Sequence, residues 1–364
     1  MKHTLIKITA ITAILIVISA CNSNDMDATQ EQSKIDMSDF FVYTEAQTDL
    51  VSKSAEGKDH SRTCYTMLNL NRLLDETPGL EKRMYDIEYQ TRKYIASKKP
   101  SGLPGGGPPG DNQDPDPTPS TPYTGTITIP VVINIIEKYD GQVTDAQINS
   151  QMDILNEDFN NLNPNTNNAP NEFADKVADY DITFTLDWDN NINRKTSSKN
   201  SWGTRDAMKS SKKGGIDATD TSHYLNIWVC EIGSGILGYA QFPGGPASTD
   251  GVVISTNYFG ETSGVYGDGR TATHEVGHWL NLRHIWGDGG CSVDDYVDDT
   301  PISDGPNYGC PTYPSVACES NDMTMNYMDY VYDDCMYMFT LQQNERSRAL
   351  FASDGYRSSF VTFN

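Results

Sequence analysis

Apolar residues alternate from Ile127 through Ile129, Val131, Ile133 and Ile135, a period of two that predicts a strand with a buried face. After the turn at Asp140-Gly141, Thr144 and Gln147 are spaced as a helix capping box. Ile148, Met152, Leu155 and Phe159 then recur at helical spacing. Alternation returns at Ile182, Phe184, Leu186 and Trp188, so this stretch predicts a strand, a helix and a second strand as a βαβ unit. Leu225–Val229 and Val252–Ser255 add two strands, and the glycine-rich stretch from Gly233 to Pro246 between them predicts a loop or an irregular edge strand. Upstream, Leu80, Met84, Ile87 and Tyr94 follow the breaker Thr77-Pro78-Gly79 and predict a helix over 80–97. A further helix is expected over about 270–281. Beyond Trp286 the periodicity fades into glycine, aspartate, proline and cysteine, so that half needs staples more than a large core.

The flanks divide the chain. Lys2 and Lys7 lead into the apolar run Ile8 to Ile18, which ends in Ile18-Ser19-Ala20-Cys21. The run is short for a spanning helix, and the pattern resembles a bacterial lipoprotein signal over 1–20 with lipid on Cys21. An ordinary secretory signal with an incidental cysteine is the other reading, and both export the protein. Residues 21–59 are polar and acidic and read as a solvated tether, in which acids directly after Cys21 hint at export to the cell surface. Residues 60–99 form a small unit, and 100–122, dominated by proline and glycine, a linker. Residues 123–364 are the main domain. With 27 basic against 50 acidic residues, the net charge of −23 excludes nucleic acid as a partner. Seven cysteines suit an oxidising compartment.

The densest chemistry lies in His274-Glu275-Val276-Gly277-His278-Trp279-Leu280-Asn281-Leu282-Arg283-His284, which holds three of only six histidines. Four residues apart on a helix, His274 and His278 share a face and can turn their imidazoles on one ion. Glu275, offset by roughly 100°, can reach water beside that ion without taking a ligand position. A continuing helix would carry His284 about 120° off the His278 direction. The helix must therefore stop and the chain turn back between them. A glycine is the usual residue at such a turn in the metzincin pattern H-E-x-x-H-x-x-G-x-x-H. Asn281, which stands here, is the next most tolerant of the left-handed conformation.

These residues, with Tyr224-Leu225-Asn226-Ile227-Trp228-Val229, Leu237-Gly238-Tyr239-Ala240-Gln241-Phe242-Pro243, Thr249-Asp250-Gly251-Val252-Val253, Asp299-Thr300-Pro301 and Asn326-Tyr327-Met328-Asp329-Tyr330, resemble the pappalysin group of metzincin metalloproteases, ulilysin-like bacterial enzymes among them. The resemblance runs over roughly 60–345. It implies an α+β zincin fold, with a twisted, mostly parallel sheet and backing helices above a cleft and an irregular subdomain below. It also implies zinc on His274, His278 and His284, Glu275 as general base in peptide-bond hydrolysis, Met328 as the floor of the Met-turn, and Tyr330 as a phenol aimed at the developing oxyanion.

The same resemblance implies crossed disulfides, Cys291 to Cys318 and Cys310 to Cys335, and calcium in the acidic loop at Asp295, Asp298, Asp299 and Thr300, whose hard oxygens suit that ion. A merely solvated loop is the alternative. Asp334 matches the carboxylate that lines the S1′ pocket, implying arginine or lysine after the scissile bond; a surface acid is the alternative. Cys64 resembles the pro-segment cysteine that keeps a zymogen latent through its sulfur, with a Cys64–Cys230 disulfide or a plain buried thiol as other readings. Lys98 and Lys99 offer cleavage points for activation. The expectation is thus an exported, lipid-anchored zinc endopeptidase acting on proteins or peptides. A non-catalytic surface lipoprotein using the scaffold as a binding module is the alternative, against which Glu275, the three histidines and Tyr330 all argue.

Overall fold

In the computed structural model, residues 35–44, 64–98 and 120–363 are described. Cys21, the signal segment and most of the tether and linker lie outside the described residues.

The alternating stretch forms the central strand β1 (Ile127–Glu137) of a six-stranded sheet. β1 pairs in parallel with β2 (Ile182–Leu186), β3 (Ile192–Thr196) and β4 (Leu225–Cys230). β4 pairs in parallel with β6 (Val252–Ser255), and β5 (Gly238–Ala240) closes the order β2-β1-β4-β6-β5 as an antiparallel edge. β4, β5 and β6 are buried throughout; β1 keeps its alternation of buried and more exposed positions over Ile127–Pro130 and is buried from Val131 on. The glycine-rich stretch therefore supplies the edge strand and not merely a loop.

Two helices belong to the N-terminal unit: α1 (Thr66–Glu76) and α2 (Leu80–Lys98). Met67, Leu70, Leu73 and Leu74 of α1 are buried with Leu80, Met84 and Phe242, at a spacing that the sequence carried but that predicted no helix above. α3 (Asp145–Phe159) starts at the expected capping box, with Gln147 N donating to Thr144 Oγ1 and Gln147 Oε1 accepting from Thr144 N. α4 (Arg270–Trp279) is buried along its whole length, and α5 (Leu341–Ala349) opens with a second capping box at Thr340 and Gln343.

The tether reading needs correction over 35–44. Val42 is buried in the α1 cluster, and Arg92 of α2 donates to Asp39 Oδ1 at 2.6 Å and to Asp36 O at 2.7 Å. Within Phe40-Phe41-Val42-Tyr43, an apolar run in an otherwise acidic stretch, Val42 and Phe40 pack on the α1 cluster while Phe41 and Tyr43 stay exposed.

Below α4 regular structure is sparse. The two-residue strands β7 (Tyr308–Gly309) and β10 (Tyr330–Val331) pair in parallel, and β8 (Val316–Ala317) and β9 (Ser320–Asn321) form a hairpin. Two disulfides, Cys291–Cys318 and Cys310–Cys335, hold this half with Cα separations of 5.5 and 5.6 Å. Both match the expected pairing, and Cys64 and Cys230 are free and buried.

Candidate active site

α4 ends where the argument from helix rotation requires it to. Leu280 leaves helical geometry, Asn281 takes φ 72°, and Leu282 N donates back to Gly277 O at 3.0 Å while Asn281 N donates to His278 O at 2.9 Å. This is a Schellman-type stop with asparagine in the left-handed position. It reverses the chain and brings His284 to the other two histidines. Asn281→Gly is therefore expected to keep activity, whereas Asn281→Val, β-branched at a positive φ, should weaken zinc binding by roughly tenfold or more. Unchanged zinc affinity of the valine variant in a chelator competition would disprove this account of the turn.

The ring orientations of the three histidines follow from their outer nitrogens. His274 Nδ1 lies 2.7 Å from Tyr327 O, His278 Nδ1 2.8 Å from Leu282 O, and His284 Nδ1 2.6 Å from Asp288 Oδ1. Carbonyl and carboxylate oxygens only accept, so each Nδ1 carries the proton. Burial, with His284 beside it, pushes the His278 imidazole well below its ordinary pKa, so that ring stays neutral. With the outer nitrogens as donors, the inner Nε2 atoms converge: that of His278 is 3.2 Å from those of both His274 and His284. With Cys64 Sγ these donors lie within 4.8 Å of one another, all buried. Three converging imidazole nitrogens, each a lone-pair donor in the neutral ring, fit a cation, and imidazole nitrogens with a thiol sulfur fit zinc.

The surroundings are packed to hold this arrangement. A Cβ added to Gly277 would fall 2.5 Å from Met328 Sδ, so the mid-helix glycine makes room for the methionine floor. Trp286 stacks on His284 at 4.3 Å between ring centroids, and Tyr330 stands edge-on to both at 4.9 Å. Burial, with Cys64, Asp288 and Glu275 nearby, holds the Tyr330 phenol well above its usual pKa. Asp329, its carboxyl pushed up to about 7 by burial, accepts from Tyr330 N and from Asn307. Behind the histidines Asp158 of α3 accepts from Tyr327 Oη at 2.6 Å and from Thr273 Oγ1 at 2.8 Å, tying α3, α4 and the Met-turn together.

The N-terminal unit enters the site along the sheet edge. Cys64 bridges to Gly238 of β5, and Tyr65 N donates to Gly238 O at 3.1 Å. Cys64 Sγ lies 3.6 Å from His278 Nε2 and 3.5 Å from Glu275 Oε2. Thr66 Oγ1 accepts from Ala240 N and donates to Glu275 Oε2, both at 2.7 Å. Sequence reasoning brought Cys64, Glu275, the three histidines, Met328 and Tyr330 to one place. It missed Asp288, Trp286, Asp158 and Thr66. Only Asp288, close behind His284 in the chain, had a position that could have flagged it.

Other expected residues lie apart from this group. Asp334 is exposed and sits beside Asp268, whose carboxyl is pushed up to about 6 by burial and by its hydrogen bond with Asp334. The adjacent Asp333 is buried and accepts from Asp268 N and Arg270 N at the start of α4. In the acidic loop Asp295 is buried and accepts from Thr300 Oγ1 and Val297 N, whereas Asp299 turns to Thr340 and Gln342. Among the described residues, no second set of three histidine, cysteine or acidic side chains converges as the zinc-type donors do.

A buried structural helix has no use for three imidazoles that converge on one point with a cysteine sulfur; with a glutamate next to the first of them, that arrangement under a mixed sheet defines a metzincin-type zinc metalloprotease. Residues 209–352 match the Peptidase_M43 family, pregnancy-associated plasma protein-A. An extracellular metalloprotease of Arthroderma benhamiae is 32% identical over 244 residues, 63% of this chain and 74% of that protein. An extracellular metalloprotease of Coccidioides posadasii is 34% identical over 231 residues, 60% and 74% of the two chains. Mature mirolysin of Tannerella forsythia, solved with a cleaved peptide, is similar at 44% identity and a TM-score of 0.63, covering 65% of this chain and 96% of that one. A mutant of promirolysin from the same organism reaches a TM-score of 0.70 at 39% identity, over 82% and 97%. The chain belongs to this family, the pappalysins.

Proposed function

We propose that the chain is made as a latent, exported zinc endopeptidase in which residues 60–99 are a removable pro-segment, 100–122 the linker that is cut, and 123–364 the catalytic domain. The observation that carries this reading is the seating of Cys64 Sγ against His278 Nε2 with Thr66 on Glu275. A relative solved both as a pro-form and in mature form with a cleaved peptide supports it.

His274, His278 and His284 would hold the ion, with Cys64 as fourth donor in the latent chain. Zinc, when bound, polarises a peptide carbonyl and makes nearby water more acidic. Glu275, released from Thr66, accepts the proton of the attacking water at its carboxylate and returns it to the nitrogen of the leaving amine. The Tyr330 hydroxyl donates to the oxyanion as it forms. The β5 edge, uncovered when Cys64 and Tyr65 leave, offers Gly238 and Ala240 main-chain groups to an extended peptide. Asp334 selects arginine or lysine at P1′, and its exposure beside Asp268 gives a doubly acidic surface for that cation.

The test starts from the purified soluble chain: zinc content, N-termini and peptide cleavage are measured before and after mild trypsin. One zinc per chain is expected, together with cleavage that appears only after a cut near Lys98 to Pro122 and bonds broken before arginine or lysine. Cleavage that never appears would overturn the protease reading, and apolar P1′ preference would overturn the role of Asp334. Lipid on Cys21 is expected to hold the unprocessed chain in the membrane fraction, a retention that Cys21→Ser abolishes.

Calcium is proposed for the acidic loop because Asp295 is buried against Asp294, and that burial, with the neighbouring acid, drives its carboxyl well above the usual range. A divalent cation on Asp295, Asp298, Asp299 and Thr300 would relieve it. A calcium-selective chelator is expected to lower the melting temperature and activity, with recovery on adding calcium but not zinc; indifference to the chelator would leave the loop as solvated acid.

A further inference from the structure

Away from the cleft, a carboxylate is seated on an arginine of the catalytic domain. Arg346 of α5 is 2% exposed; its Nη1 donates to Glu88 Oε1 at 3.0 Å and its Nη2 to Glu88 Oε2 at 2.5 Å. Glu88, on α2, is 1% exposed and accepts a third bond from Arg92 Nε at 2.8 Å. Burial alone would raise the Glu88 carboxyl, but the Arg346 and Arg92 guanidiniums hold it below its ordinary value. On the catalytic-domain side, Arg346 and Arg283 both face the Tyr296 ring, 5.5 and 5.2 Å from its centroid; Arg92 and Phe40 lie against the same ring, and Arg283 Nη2 donates to Phe41 O at 2.8 Å. Beside it, Ile87 and Met84 of α2 rest on Gly244, where an added Cβ would meet them at 3.1 and 3.5 Å. Within this domain Asp295 feels the charge of Arg346, but its oxygens accept from Thr300 and Val297.

The third donor of the same guanidinium faces the zinc motif. Arg346 Nε donates to Asn281 O at 2.9 Å, the carbonyl of the left-handed residue that reverses the chain between His278 and His284. A planar fork held at one side by a carboxylate is thus fixed at the other against the turn that delivers His284. Without the carboxylate, Nη1 and Nη2 lose this acceptor, and of the three bonds only that from Nε to Asn281 O remains.

We propose that the catalytic domain carries a second ligand site, specific for a carboxylate on an acidic helical peptide, built on Arg346 against Tyr296, filled here by Glu88, and coupled through Asn281 O to the position of His284. Refilling of the site after activation rests on the zymogen reading above; the site itself does not. The ligand class follows from the occupant: a glutamate with apolar residues one position and one turn before it, laid on Phe242 and Gly244.

The full-length, zinc-loaded chain with Glu88→Ala opens the seat, and acetate is the probe. The variant is expected to lose about 10 °C in Tm and to release zinc to a chelator roughly tenfold faster than the native chain. Acetate should reverse both changes saturably, while sodium chloride of equal ionic strength does not, and acetate should act neither on the native chain nor on Glu88→Ala/Arg346→Lys. Equal action of acetate and chloride, or equal rescue with and without Arg346, would overturn the site. Recovery of Tm with no change in zinc release would overturn the coupling to His284. If Glu88→Ala does not fold, Glu88→Gln keeps the shape with one acceptor fewer, and zinc release as slow as in the native chain would likewise overturn the coupling. In chain processed by trypsin, acetate should slow zinc release in the same way; failure in that arm alone would count against the zymogen reading and not against the site.

Discussion

Glu275→Gln is expected to bind zinc as the native chain does and to lose peptide cleavage by about 10²–10⁴-fold in kcat/KM after processing. The substitution is nearly isosteric at a position that is 1% exposed and closely bounded. An added Cβ at Gly238 would meet Glu275 Cγ at 3.0 Å, so there is little room for the side chain to adopt another pose. The amide oxygen can still accept from Thr66, and the zinc donors are other residues, so fold and metal content are spared. Only the capacity to take and return a proton is removed. Metal analysis and a peptide assay on the same sample separate the two properties. Near-native cleavage would remove Glu275 as the base, and loss of zinc together with activity would recast it as part of the metal's support.

The parts of the molecule that could be read in the sequence are those whose constraint is local. The Thr144 capping box, the alternation in β1 and the four-residue spacing of His274 and His278 are each set within one element. The forced turn before His284 belongs with them, and its left-handed residue is Asn281 at φ 72°. The mid-helix Gly277 was visible but not explicable, because its reason is the Met328 sulfur, about fifty residues downstream. Asp158 matters through contacts with the distant Thr273 and Tyr327, and Trp286 through its stacking on His284 and its edge contact with Tyr330, none of which a local pattern announces. The apolar run Phe40 to Tyr43 is hidden in the sequence by the acidic composition around it, since an average over 21–59 gives these four residues no weight of their own.

Latency is expected to rest on two residues, so that removing one gives a partly active uncut chain and removing both a nearly fully active one. Cys64→Ala deletes the sulfur at His278 but leaves Thr66 Oγ1 bonded to Glu275 Oε2 and accepting from Ala240 N, each at 2.7 Å. A hydrogen bond to a charged partner contributes about 1.5–3 kcal/mol, which corresponds to roughly 10–150-fold in the equilibrium that opens the cleft. The uncut Cys64→Ala chain should therefore cleave peptide at least tenfold faster than the native uncut chain and still fall well short of the processed enzyme. Cys64→Ala/Thr66→Val, which keeps the shape of Thr66 but not its hydroxyl, should close most of that gap. Initial rates, with N-termini checked for cuts in the same samples, distinguish opening of the intact chain from processing. Thr66→Val should leave the processed enzyme unchanged, because α1 is then gone from the cleft. If the double variant is no more active than Cys64→Ala, the Thr66 bond is packing detail and the cysteine alone closes the site. If Thr66→Val by itself raises the uncut activity while zinc stays coordinated by Cys64, release of Glu275 must precede release of the sulfur, and the proton-accepting carboxylate becomes the first part of the site to be freed.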